Sequence, residues 1–198
     1  YAGGNDRDRG CLFLDPSEHG RAQHAARYPH TPGAVVGQPI LDAHPFRERT
    51  SQTVVLTGHW DAQGIGNGAT RSAWPHHWSQ PMAFRAALGE LRDDGWTVLG
   101  SGHPRGRSKA PHFEQAWERF GVETLWDFGE VLERADVLVS DNTSAGVLSA
   151  AVGVRQVLLT CPAYALAEER AYWPRWAMDL GREIASPVDL ADADRTAT

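Results

Sequence analysis

Cysteine is scarce in this chain: Cys11 and Cys161 are the two present, and they lie far apart. Each sits beside an apolar, strand-like run. Disulfides are rare in the cytosol, so the pair reads as buried reduced thiols of a cytoplasmic protein. Long hydrophobic runs are absent too, and none approaches the ~18 apolar residues of a membrane span. There is no basic excess, with 19 Lys and Arg against 25 Asp and Glu and a net charge of −6. That argues against a general nucleic-acid binder, which needs a basic stripe. A phosphate ligand stays compatible, because a helix N-terminus binds one without help from net charge. No Gly-x-Ser-x-Gly, Walker loop or Cys–His nucleophile signature occurs. The opening Tyr1-Ala2-Gly3-Gly4 has no Met and no signal-peptide pattern, and reads as a cut start.

What is present is the make-up of a globular chain. Its 198 residues are 41% apolar and include eight Trp. That length holds one domain, or one domain and a fragment of another. Cys11 to Leu14 reads as a short strand. Ser17 then caps a helix running to about Arg27, which Tyr28-Pro29 stops. Ala34 to Val36 is a second short strand. This β-α-β piece is too small to hold a core of its own. Residues 43–52 are polar and read as a linker.

A different pattern starts at residue 53. Thr53-Val54-Val55-Leu56-Thr57 is a β-branched run suited to a strand buried on both faces. A Gly-rich loop is predicted from Gly58 to about Trp78. Helical spacing of Met82, Phe84, Ala87, Leu88 and Leu91 predicts a helix over 81–93, stopped by Gly95. Strands follow at 96–101, 122–125, 136–140 and 156–160. Helices are expected at 113–120, 127–134, 143–152 and, broken at Pro174, 164–178. From Ser186 the Asp/Ala-rich tail is expected to fray. Strands alternating with helices predict a parallel sheet covered on both faces, with ligands outside the carboxyl ends of the strands.

That rule selects four loops. Asp141-Asn142-Thr143-Ser144-Ala145-Gly146 joins a buried strand to an Ala/Leu helix. Its free N–H groups and hydroxyls suit an anion, while an ordinary helix cap by Asp141 or Asn142 fits the spacing equally well. His103-Pro104-Arg105 puts a fixed imidazole and a guanidinium at a strand end, where they can stabilise leaving-group charge. Gly58-His59-Trp60-Asp61 opens the Gly-rich run Gly64 to Gly68, which lacks the full dinucleotide fingerprint. Arg71 is a further phosphate contact to consider. Cys161-Pro162-Ala163 is the fourth loop. His76-His77 does not read as a metal site, because adjacent residues point apart and no partner stands at ligand spacing. Trp74 and Trp78 read as packing residues, or as an apolar platform.

In order along the chain, these segments resemble one family. Val137 to Ser144, followed by an Ala-rich helix and Gly153-Val154-Arg155-Gln156-Val157, looks like the Asp-x-Ser-Ser … Ala-x-x-Gly-x-Pro-Val segment of teichoic-acid polymerase type glycerophosphotransferases and related GT-B glycosyltransferases. UDP-N-acetylglucosamine 2-epimerases share the architecture. His103-Pro104-Arg105 resembles the family's His-Pro, and Thr57-Gly58-His59-Trp60 its Thr-x-His. Gly37 to Asp42 resembles the Gly-x-Pro-x-x-Asp between its two domains. The chain departs from the pattern at Thr143, at Arg155-Gln156 where a Pro is expected, and at Ser144-Ala145-Gly146 where epimerases carry Ser-Gly-Gly.

The resemblance implies an α/β fold with a Rossmann-like parallel sheet. Residues 1–42 would end an N-terminal Rossmann-like domain that is mostly missing. Residues 53–185 would be the C-terminal nucleotide-sugar-binding domain and 186–198 its tail. It implies a metal-independent glycosyltransferase with no cofactor, moving a sugar or polyol phosphate from a nucleotide-activated donor to a hydroxyl acceptor on a glycan, lipid-linked polymer or protein. Peripheral membrane contact stays open. Arg105, Asp141, Asn142, Thr143 and Ser144 would bind the donor diphosphate. His59 and His103 are the catalytic candidates, His59 as local base and His103 at the leaving group. Trp126 and Phe128 would help form the base pocket. The rival readings are a nucleotide-sugar 2-epimerase and a non-catalytic nucleotide-binding module.

Overall fold

The computed structural model describes residues 12–46, 48–58, 73–102, 112–141, 145–160, 181–184 and 186–192. The chain divides into two compact units, Tyr1–Pro45 and Phe46–Thr198.

The first unit is a small β-α-β piece. Strand β1 (Phe13–Asp15) pairs in parallel with β2 (Gly33–Val35). Between them runs α1 (Glu18–Arg27), capped by Ser17, whose hydroxyl accepts from Gly20 N at 3.1 Å. No residue of α1 is buried, so neither propensity nor packing accounts for much of its stability. A polar clasp assists: the fully buried Asp15 carboxylate bonds His24 Nδ1, and the Phe13 ring stacks on that imidazole at 4.5 Å. Leu12, Leu14 and Val36 stay exposed. A four-residue turn of helix, α2 (Ile40–Ala43), follows.

The second unit is a six-stranded, all-parallel sheet of β3 (Thr53–Thr57), β4 (Thr97–Ser101), β5 (Glu123–Leu125), β6 (Val137–Ser140), β7 (Arg155–Leu159) and β8 (Gly181–Ile184). Their order is β5-β4-β3-β6-β7-β8. Counted from β3, that is 3-2-1-4-5-6, the doubly wound Rossmann order, whose direction reverses between β3 and β6. Right-handed crossovers then place the helices before and after that reversal on opposite faces. Every residue of β3 is buried, as expected for a central parallel strand.

The helices are α3 (Trp74–Trp78), α4 (Pro81–Asp93), α5 (His112–Arg119), α6 (Phe128–Arg134) and α7 (Ala145–Ala151). Pro81 opens α4, where its missing N–H costs nothing, and Phe84, Ala87, Leu88 and Leu91 form the buried stripe. Gly95, at φ 87°, ends the helix as expected. These side chains meet Val54, Leu56, Val98, Val137, Val139 and Val157 on one face of the sheet, with Trp74, Phe113, Trp117 and Phe120 between.

Two expectations need correction. Residues 74–78, read as the end of a Gly-rich loop, form α3. The tail at 186–198 was expected to fray, but Pro187–Asp192 is a 3-10 helix whose Leu190 is fully buried in the main core. Leu190, with Ala191 packed beside it, anchors a short segment that has no periodic pattern. The polar run at 43–52 also contributes to the fold. Arg49 donates to Leu132 O at 2.6 Å, Ala135 O at 3.3 Å and Val152 O at 2.8 Å. A guanidinium there satisfies orphan carbonyls at the ends of α6 and α7, where the helix dipole favours a cation.

Candidate functional site

The carboxyl edge of the six-stranded sheet gathers the loops that the sequence singles out. Gly102 follows β4, Gly58 follows β3, Asp141 follows β6 and Thr160 follows β7, and these four strands are consecutive in the sheet. Thr57 pairs with Ser140, and Ser140 with Leu158, so the central strand ends lie in one row. Adjacent strands are about 5 Å apart, so all four loops start within one small-molecule span. The β3–β6 boundary in the middle is the switch point, where doubly wound sheets bind ligands.

Of the expected site residues, His59, Arg71, His103, Arg105, Asn142, Thr143 and Ser144 lie outside the described residues, as do Gly64 to Gly68, Cys11 and Cys161. Three are described. Asp141 is 2% exposed, and its Oδ2 accepts from Ala73 N at 3.0 Å. Trp126 and Phe128 are half-buried just beyond β5. Trp126 lies on the Gly102 backbone, where an added Cβ would come under 3.0 Å from its ring carbons Cζ3, Cε3 and Cη2. Asp127, between them, caps α6 by accepting from Gly129 N at 2.8 Å.

Two more indoles line the same edge. Trp74 Nε1 donates to Thr57 O at 2.8 Å, and Trp117 Nε1 to Ser101 O at 3.3 Å. A Cβ at Gly58 would come under 3.0 Å from Trp74, and one at Gly100 under 3.0 Å from Trp117. Glycine near the strand ends is what lets large rings seal the backbone there.

On the opposite face, α7 begins close to the sheet. A Cβ at Gly146 would stand 3.1 Å from Ser140 Oγ and 3.4 Å from Gln156 Oε1. Gln156 Nε2 donates to Ser149 Oγ at 3.1 Å and to Val154 O at 2.6 Å, while its buried Oε1 has no hydrogen-bond partner.

His77, weighed in the sequence only as a metal ligand, has a different setting. The imidazole is fully buried, and Nε2 bonds Thr160 O at 2.8 Å. A carbonyl only accepts, so Nε2 carries the proton and Nδ1 is the lone-pair nitrogen; Nδ1 is buried without a partner. Burial pushes the His77 pKa down to about 4, aided by neighbouring His76 and opposed by the Thr160 bond and Asp189. The signal for α3 was Pro75 in its first turn, among the aromatic residues of Trp74 to Trp78. Among the described residues, no group of three or more His, Cys, Asp or Glu could hold a metal ion, and no helix is long and apolar enough to cross a membrane.

The class these features define is an α/β protein with a doubly wound, Rossmann-like parallel sheet. Its fold is similar to that of a solved structure of the wall teichoic acid polymerase TagF, a variant form, with a TM-score of 0.59 at 13% identity. The similarity covers 95% of this chain and 50% of that one, so the chain spans about half the length of the protein it resembles. No protein-family profile and no curated protein matches the chain.

Proposed function

We propose that the protein takes part in transferring a sugar, or a polyol phosphate, from a nucleotide-activated donor to a hydroxyl acceptor. The observation that carries the reading is the convergence of four consecutive strand ends, those of β4, β3, β6 and β7, on the switch point. Each delivers one of the four loops that the strand-end rule selects. The likeness in fold to a wall teichoic acid polymerase supports the same reading.

In this reading Asn142, Thr143 and Ser144 hold the donor diphosphate through hydroxyls and backbone N–H groups at the start of α7. Arg105 and His103 balance the charge that grows on the leaving phosphate. His59 is the local candidate to take the acceptor's proton. Trp126 and Phe128 flank the nucleobase. No step requires a metal. The first unit, Tyr1–Pro45, is then the end of another Rossmann-like domain.

A thermal-shift panel of UDP, GDP, CDP and dTDP tests this. A ligand that binds only the native state raises Tm, by about 2.7 kcal/mol of stabilisation at a hundredfold excess over Kd. One nucleotide is expected to shift Tm, and Ser144→Glu to abolish that shift. If none of the four moves Tm, the donor reading fails.

A further inference from the structure

Helix α3 is short, yet it is tied to three consecutive strands where each one ends. The Trp74 indole N–H donates to Thr57 O, the last residue of β3, at 2.8 Å. Ala73 N, at the helix start, donates to Asp141 Oδ2, just past β6, at 3.0 Å. His77 Nε2 donates to Thr160 O, just past β7, at 2.8 Å. Ala73, Trp74 and His77 are all 0% exposed, and Asp141 is 2% exposed. Hydrogen bonds in such dry surroundings are stiff, and costly to leave unmade. Trp74 also packs against Gly58, with no room for a side chain there.

We infer that Asp141, Trp74 and His77 are positioning residues: α3 is a strap that fixes the carboxyl ends of β3, β6 and β7 relative to one another. The inference rests on the donor-site reading above. It gives Asp141 a different task from the diphosphate contact expected from the sequence. Its carboxylate anchors a buried backbone N–H, whereas an anion set against a diphosphate would repel it. Trp74 and His77 do the same for the neighbouring strand ends without touching the donor.

The test is calorimetric titration of UDP, GDP, CDP and dTDP into the unaltered chain and the Asp141→Asn, Asp141→Ala and Trp74→Phe variants, at low and high salt. The asparagine retains an oxygen to accept from Ala73, so its affinity should stay within about twofold at both salts. The alanine has no acceptor and should bind about tenfold more weakly. Exchange of the Ala73 amide proton should be slow in the unaltered and asparagine proteins, and fast in the alanine protein. Trp74→Phe keeps an aromatic ring but loses the N–H and part of the indole's volume. It should weaken binding by about threefold or more, and it carries the test if the alanine variant does not fold.

Tighter binding by the asparagine variant at low salt, fading at high salt, would set the carboxylate against the phosphates and overturn the inference. So would unchanged affinity in both the alanine and phenylalanine variants. An unaltered protein that binds none of the four nucleotides removes the donor reading, and this role with it. Binding by the unaltered protein with indifferent variants removes this role alone.

Discussion

One face of the six-stranded sheet carries Val54, Leu56, Val98, Val139 and Val157 beneath a layer of aromatic rings. The other meets α7 through Gly146 and Ser149 over the buried Gln156. The aromatic face is filled by size. Trp74 and Trp117 cross edge-on at 5.1 Å, and Trp78 meets Trp117 edge-on at 5.4 Å. The opposite face also buries Val55, Leu99 and Leu138, but where α7 meets β6 and β7 it is filled by close approach, with small side chains and one amide network between helix and strand. The contrast assigns different duties to the faces. The first buries the large aromatic rings, which remove the most apolar area from water per side chain. The second brings the start of α7 near the end of β6 and leaves an unpartnered amide oxygen there.

The largest effect that separates the faces should come from Trp117→Ala. It removes a fully buried indole and its bond to Ser101, and should lower unfolding free energy by about 4 kcal/mol in urea titrations. A loss below about 1 kcal/mol would mean that the buried rings contribute little to stability.

Next in size is the response to acid at the carboxyl edge of that face. His77 stays neutral in the folded state down to about pH 4, whereas the unfolded chain takes up its proton near pH 6.5. Between those values unfolding binds a proton, so stability falls as pH falls and levels off below about 4. The contribution is ~3 kcal/mol across that window, at 1.36 kcal/mol per pKa unit. Denaturant melts at pH 7 and pH 4.5 should converge by most of that amount in His77→Gln relative to the unaltered chain. An unchanged difference would mean that the imidazole titrates normally.

The smallest effect belongs to the α7 face. Ser149 Oγ donates to Ala145 O at 2.7 Å and accepts from Gln156 Nε2. Ser149→Ala should cost about 1 kcal/mol, because Gln156 Nε2 keeps its bond to Val154 O. A cost as large as that of Trp117→Ala would erase the distinction between the faces.

Much of the second unit was legible in the sequence, because its signals are local. β3 spans the same five residues, Thr53–Thr57, that its Val-Val-Leu centre flanked by β-branched threonines marks in the sequence, and α4 repeats its apolar positions at helical spacing. What stayed hidden is held from a distance. The bonds that tie α3 reach from Ala73, Trp74 and His77 to partners 68, 17 and 83 residues away. Two of the three partners are backbone carbonyls, which leave no mark in a sequence. Strand β8, Gly-Arg-Glu-Ile, has one apolar residue and closes the end of the sheet, so neither periodicity nor a buried run announced it. Asp141 was singled out for its place after a strand. Its bond to the Ala73 N–H could not be read from spacing, because the intervening chain runs through three of the sheet's six strands.

The pairing of glycines with indoles along the carboxyl edge has an evolutionary consequence. Gly58 with Trp74, Gly100 with Trp117 and Gly102 with Trp126 are each in contact too close for a side chain at the glycine. A side chain gained at the glycine is tolerable only where the ring has already shrunk, and a ring lost first leaves a void that a new side chain can fill. In sequences that descend from a common ancestor with this one, the two positions of each pair should therefore change together, although 16, 17 and 24 residues separate them.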